Sequence, residues 1–344
     1  MNIFKLNASK LTEYIERCFA ADLVPYIHSS PGMGKSSIIK AIAKRNKLKL
    51  IDIRLSQADP ADMCGFPVFI DGKASYLPFD MWPTADKPIP DGYNGWLIFF
   101  DEFPSAPKSV QAAAYRPLLD REIGMNPLHQ NVWMAAAGNL ITDRAIVNPL
   151  STASQSRMIH FELEADYDTW LREVALPQKY DSRVVAFLSQ YPEKLMAFDP
   201  SHQDKTFPCP RTWEFLNRLL TVSPNTVSRD TALYAGTVGT AAANDFTTFC
   251  EVYEDLVKIE DILANPLGCL IPQKVSAQRA IVTRITEHAK PDNIEKLLQY
   301  SARMGMQFRV LVFRMLMARG PEWRTNDHVI KASIDVAEYL WGDS

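Results

Sequence analysis

Residues 29–37 read SSPGMGKSS, one glycine short of the phosphate-binding loop pattern G-x-x-x-x-G-K-[ST]. Ser29 stands at the first glycine position. Before it, VPYIH (24–28) is a short apolar run, and SSIIKAIAKRNKL (36–48) has helical spacing. Strand, loop, helix is the context that the pattern requires. A loop of this kind holds anionic oxygens with successive backbone N–H groups and a helix N-terminus. Gly32 and Gly34 let the backbone curl closely, Lys35 reaches for the outer phosphates, and Ser36 offers a hydroxyl to Mg²⁺. Ser30, Pro31, Met33 and Ser37 complete the cradle. Taken alone, the same nine residues also read as a glycine-containing turn before a helix.

The surrounding chain supplies the company that the loop needs. KLIDIRL (49–55), GWLIFFDE (95–102), NVWMAAAGN (131–139) and RMIHFEL (157–163) are strand-like apolar runs separated by helical stretches. Continuous apolar strands alternating with helices predict βα units around a buried parallel sheet. Residues 56–94 are rich in Pro, Asp and Gly and too long for a plain connection, so they read as an insertion. FIDGKA within it predicts a hairpin turn. After residue 164 the pattern becomes helical, and RMGMQFRVLVFRMLMAR reads as a core helix with arginines at its edges, with a partner-binding helix as the alternative. The expected organisation is an α/β core over 1–163 with the insertion at 56–94, a helical segment over 164–230, and a helical C-terminal region over 231–344.

Composition narrows the class. The 344 residues are 47% apolar and 22% charged, with a formal net charge of −3. That balance weighs against a nucleic-acid-binding surface. Five scattered cysteines without a C-x-x-C pair fit reduced thiols in a cytoplasmic protein. The first residues read as an amphipathic helix, and no apolar run reaches the roughly 20 residues of a membrane span.

Three further features carry chemistry. WLIFFDEF ends an apolar strand in Asp101 and Glu102. Beside a phosphate loop, Asp101 would hold Mg²⁺ and Glu102 would polarise an attacking water. WMAAAGN places Asn139 at a strand tip, where an amide can hold that water or the terminal phosphate. Arg157, before the last strand, is either a surface residue or a group reaching a neighbouring subunit's phosphate. Arg211, at a helix start in FPCPRTWEF, could touch the same nucleotide from a second domain.

The order of these motifs resembles the AAA+ ATPases of the MoxR type, in the dynein-related group. The resemblance runs over residues 24–215 and is carried by SSPGMGKSS, DPADMCGFPV (59–68), WLIFFDEFPSAPKSVQAAAYRPLLDREI (96–123), AAAGN (135–139), LSTASQSRM (150–158) and CPRTW (209–213). It implies a P-loop NTPase core of five parallel strands in the order 5-1-4-3-2, an α-helical lid, and ATP with Mg²⁺ bound between subunits of a hexameric ring. It assigns Lys35 and Ser36 to Walker A, Asp101 and Glu102 to Walker B, Asn139 to sensor 1, Arg157 to the trans-acting finger and Arg211 to sensor 2. Residues 59–80 match the family's extra hairpin, which projects towards partners or the pore.

The chain also departs from the family. Besides Ser29, Ser156 and Met158 flank the finger position where Asp and Phe are common. Arg144, in TDRA, therefore competes with Arg157 for the finger role. The implied activity is ATP hydrolysis that remodels a client protein, with a separate von Willebrand A domain protein as a possible partner. Two rival readings remain open: a nucleotide-gated binding module with little turnover, and a DNA-directed motor.

Overall fold

The computed structural model describes residues 4–339, apart from 141, 142, 144–147, 151, 202, 203, 225, 226, 228, 255, 256 and 338. The chain forms two compact units, one of residues 1–165 with 199–202 and the other of 166–198 with 203–344.

The first unit is built on β1 (Lys5–Leu6), α1 (Ala8–Ala20), β2 (Pro25–His28), α2 (Lys35–Arg45), β3 (Leu48–Arg54), α3 (Pro60–Cys64), β4 (Phe66–Ile70), β5 (Lys73–Leu77), β6 (Gly95–Asp101), α4 (Lys108–Asp120), β7 (Glu122–Ile123), β8 (Asn126–Pro127), β9 (Val132–Gly138), α5 (Thr152–Gln155) and β10 (Ile159–Leu163). Its main sheet runs β1-β10-β2-β9-β6-β3 with every pairing parallel. Without β1 this is the order 5-1-4-3-2 that the resemblance implies. The sixth strand corrects the expectation of five. Asn7 ends β1 by capping α1, its side chain accepting from the Lys10 N–H at 2.9 Å. The amphipathic helix therefore starts at Ala8 and not at the beginning of the sequence.

The apolar runs are continuous because both faces of the sheet are covered. Alternate residues point to opposite sides. Trp96, Ile98 and Phe100 of β6 join Tyr26, Met134 and Ala136 in a core on the α4 side. Leu97 and Phe99 join Ile27, Ala135 and Ala137 under Leu11 and Ile15 of α1 and Ile39 and Ile42 of α2. Strand register then sets the site. His28 lies opposite Gly138, Phe100 opposite Ala136, and Asp101 opposite Arg54. The carboxyl ends of β2, β9 and β6 thus open on one edge, where parallel sheets bind ligands.

Within the insertion, β4 and β5 form the expected antiparallel hairpin. Asp71 and Gly72 at its tip both take positive φ, 50° and 74°, as a two-residue turn demands. Phe66, Phe69 and Leu77 on the hairpin are exposed, Phe69 to 86%. In the second unit, Phe187 packs against Trp213 and Phe246 at 5.5 Å between ring centroids. The Met- and Arg-rich stretch is a core helix, Met306–Arg319, with Phe308, Val312, Phe313, Met315 and Leu316 buried. No helix among the described residues is long and apolar enough to cross a membrane.

Candidate functional site

The loop between β2 and α2 takes its shape from two glycines. Gly32 and Gly34 adopt φ of 81° and 86°, and they are the loop's positive-φ residues. Ser29 does not share that conformation, which is why a side chain is tolerated at the position where the pattern asks for glycine. Gly34 is the N-cap of α2 and offers no side-chain cap to the helix. A helix N-terminus at this place favours an anion through its dipole and its first-turn N–H groups.

Lys35 is buried and turned back over the loop. Its Nζ donates to the Ser29 carbonyl (3.1 Å), the Ser29 hydroxyl (2.9 Å), the Ser30 carbonyl (3.5 Å) and Asn139 Oδ1 (3.0 Å). The serine that departs from the pattern is thus an extra acceptor for the ammonium. Ser36 donates its hydroxyl to Asp101 Oδ2 at 2.8 Å, joining α2 to the end of β6. These two oxygens are the hard, close-set donors that a divalent cation prefers.

Glu102, the next residue, has φ of 57°. The left-handed turn sends its carboxylate away from the strand axis, where Oε2 accepts from the Ser56 hydroxyl. Its N–H donates to Asp101 Oδ1 at 2.8 Å. Gly138 precedes Asn139 for a steric reason, because a Cβ there would lie 2.3 Å from Pro104 Cδ and 2.4 Å from the Tyr26 hydroxyl. The loop is also joined to the chain beyond β9, with the Ser30 hydroxyl donating to Asp143 Oδ1 at 3.3 Å.

Beneath the loop lie Tyr26, His28 and His160. The two imidazoles meet through His28 Nε2 and His160 Nδ1 at 2.9 Å, and His160 Nε2 reaches the Gln155 carbonyl at 2.8 Å. Burial, then His160 and Lys35, lower the His28 pKa to about 4. The Tyr26 hydroxyl is buried without a hydrogen-bond partner. Burial and the charge of Asp101 push its pKa up.

A pH effect on stability follows from His28. The unfolded imidazole titrates near 6.5, so between about 4 and 6.5 the unfolded chain binds a proton that the folded chain refuses. The neutral ring's contribution is fully present above 6.5 and is lost as pH falls towards 4. The expected loss is roughly 3 kcal/mol by pH 4, of which about 2 kcal/mol has gone by pH 5. Urea midpoints at pH 7 and pH 5 for wild type and His28→Gln should show a smaller acid-side fall in the variant. Equal falls would remove His28 as the cause.

The structure brings Lys35, Ser36, Asp101 and Asn139 together through direct hydrogen bonds, with Glu102 adjoining Asp101. Arg157 is exposed at the turn between α5 and β10. With Ile159 opposite Pro25, it stands beyond the amino end of β2, whereas the loop leaves the carboxyl end. Arg211 lies in the second unit, in the first turn of the helix Pro210–Val222. Arg144 lies outside the described residues. Ser56, His28 and His160 are the residues that sequence reasoning missed. Ser56 had a usable signal, since it follows the strand next to the acidic one. The histidines had none, because their pairing depends on strand order.

No family model matches the sequence, and no curated protein does. Among solved structures, NtrX from Brucella abortus is 14% identical, with a TM-score of 0.34, over 98% of this chain and 69% of that one. Two mutant forms of RuvB from Thermotoga maritima are similar at 15% and 16% identity, with TM-scores of 0.38 and 0.39. They cover 76% and 77% of this chain and 75% and 77% of their own. These are loose likenesses, and the fold assignment stands on the loop and the strand order.

Proposed function

We propose that this chain is an AAA+ ATPase of the MoxR type that binds ATP with Mg²⁺ and uses hydrolysis to act on a client protein. The observation that carries the reading is the convergence of Lys35, Ser36, Asp101 and Asn139 from one loop and two neighbouring strand ends. Ser36 and Asp101 would hold the Mg²⁺, which neutralises phosphate charge. Lys35 exchanges its internal acceptors for phosphate oxygens, while the N–H groups of the loop and of α2 orient them. Asn139, released from Lys35, holds the attacking water or the terminal phosphate with its amide, and Glu102 takes the proton of that water. Arg157, and Arg211 from the second unit, are the proposed charge-stabilising arginines. The resemblance supports a ring of identical subunits, hexameric in this reading. The exposed Phe66, Phe69 and Leu77 of the β4–β5 hairpin support a protein client, with a separate von Willebrand A domain protein as the candidate partner.

The direct test is titration of the full chain with a fluorescent ATP analogue, with and without Mg²⁺, beside a steady-state hydrolysis assay. Saturable Mg²⁺-dependent binding and turnover are expected. Absence of binding at millimolar nucleotide would remove the reading.

The bond from Ser56 to Glu102 favours a second reading, a nucleotide-gated binding module with little turnover. A hydroxyl bound to a carboxylate is worth roughly 1.5–3 kcal/mol, and it holds Glu102 away from general-base duty. Ser56→Ala should raise client-free hydrolysis by roughly tenfold, with the KM for ATP unchanged. Steady-state kinetics decide it: a fall in kcat would mean that Ser56 instead sets the productive orientation of Glu102.

A further inference from the structure

The histidine pair beneath the loop has a direction that hydrogen-bond chemistry fixes. The Gln155 carbonyl can only accept, so His160 Nε2 carries a hydrogen. In the neutral ring Nδ1 is then bare, and His28 Nε2 must be the donor to it. The chain runs one way, from His28 through His160 to the backbone of Gln155. At its start, His28 is the last residue of β2 and adjoins Ser29, whose carbonyl and hydroxyl hold Lys35. At its end, Gln155 closes α5 two residues before Arg157. The intervening turn is tightly drawn, with Ser156 N–H bonded to the Thr152 carbonyl and Arg157 N–H to the Ser154 carbonyl, each at 3.2 Å. A displacement of the Gln155 carbonyl therefore carries Arg157 with it.

Tyr26 sets the rings in place. Residues 26 and 28 share a face of β2, and His160 lies opposite Tyr26 in the β10–β2 register. The Tyr26 ring lies 4.4 Å from His28, 5.3 Å from His160 and 6.3 Å from Phe103, the residue after Glu102.

We propose that His28 and His160 are positioning residues that transmit nucleotide occupancy of the loop to the Arg157 turn. The proposal rests on the nucleotide-site reading. A nucleotide draws Lys35 off Ser29 and re-seats the backbone that His28 anchors. The His28–His160–Gln155 chain then shifts the turn that presents Arg157. In a ring, a subunit's own nucleotide would in this way set the arginine it offers to its neighbour.

Hydrogen–deuterium exchange on the full chain, with and without Mg·ADP, tests the relay without needing turnover. In the wild type, nucleotide should slow exchange in residues 29–37 and alter it in residues 152–158. His160→Asn keeps an acceptor for His28 but loses the donor to Gln155. His160→Gln keeps that donor but loses the close acceptor. Both should retain the loop response and lose at least half of the response at 152–158. His28→Phe, which breaks the first link, provides the same reading if a His160 variant fails to fold. A packing role would instead raise exchange at 152–158 without nucleotide and leave the nucleotide response intact; that result overturns the proposal. So does a wild-type loop response with residues 152–158 silent. A wild-type loop that does not respond at all removes the nucleotide site, and the relay with it. Hydrolysis gives a second readout: His160→Asn should lower kcat roughly tenfold with KM within about twofold, and should add nothing to Arg157→Ala. Multiplying losses would break the link to Arg157.

Discussion

Glu102→Gln should abolish turnover while leaving ATP bound. A positioned general base contributes about 10²–10⁴-fold, and glutamine matches glutamate in shape but cannot take the proton. The Ser56 hydroxyl still finds an oxygen on the amide, so the turn at residue 102 has a partner for its side chain. Lys35, Ser36 and Asp101 are untouched, and nucleotide affinity should stay within a few-fold. The variant should trap the ATP state and assemble more firmly than wild type. Single-turnover hydrolysis, equilibrium binding and sedimentation velocity read the three effects separately. Unchanged hydrolysis would remove Glu102 from the reaction and return attention to Asn139.

Arg157→Ala should have an effect of similar or greater size, visible only in the assembled protein. A trans-acting arginine is worth about 10³–10⁵ in turnover. Specific activity of the wild type should rise with protein concentration as shared sites form. The variant should stay near its dilute-limit rate at every concentration and still bind ATP. Mixing experiments sharpen the result, because Arg157→Ala supplies an intact loop and Lys35→Ala supplies an intact arginine. Together they should recover a fraction of the activity that neither has alone. If Arg144→Ala collapses the activity and Arg157→Ala does not, the finger belongs to the segment after β9. Activity independent of concentration would exclude a shared site.

Both variants target residues whose placement was legible to different degrees. Asp101 and Glu102 could be read because a strand buried on both faces must be apolar until it leaves the sheet. WLIFF followed by two carboxylates marks that exit. The loop was legible through Gly32, Gly34, Lys35 and Ser36, each of which has a distinct backbone or side-chain task. Ser29 was visible only as a departure. Its backbone conformation and its bond to Lys35 depend on three-dimensional closure of the loop, which no spacing encodes. Strand β1 was hidden because two residues are too few to show a period. The bond between Ser56 and Glu102 spans 46 positions and that between His28 and His160 spans 132, so both needed the strand order first. Arg211 marks the opposite limit, since its helix was readable from CPRTW while a role at the nucleotide is implied by the resemblance alone.

The unforeseen β1 has a consequence for solubility. A sheet edge with unpaired N–H and C=O groups invites another chain to add a strand, and short or charged edges discourage it. On one side of this sheet the outermost strand is only Lys5–Leu6, too short to template a partner, and it pairs with Glu162 and Leu163 at the end of β10. On the other, β3 carries the exposed charges Lys49, Asp52 and Arg54 along its seven residues. Both edges are guarded against aggregation by strand addition, one by brevity and one by charge. Copies of this chain are therefore steered to meet through side-chain surfaces, and a shortened form lacking residues 5 and 6 would extend the open edge of β10 through Glu162 and Leu163.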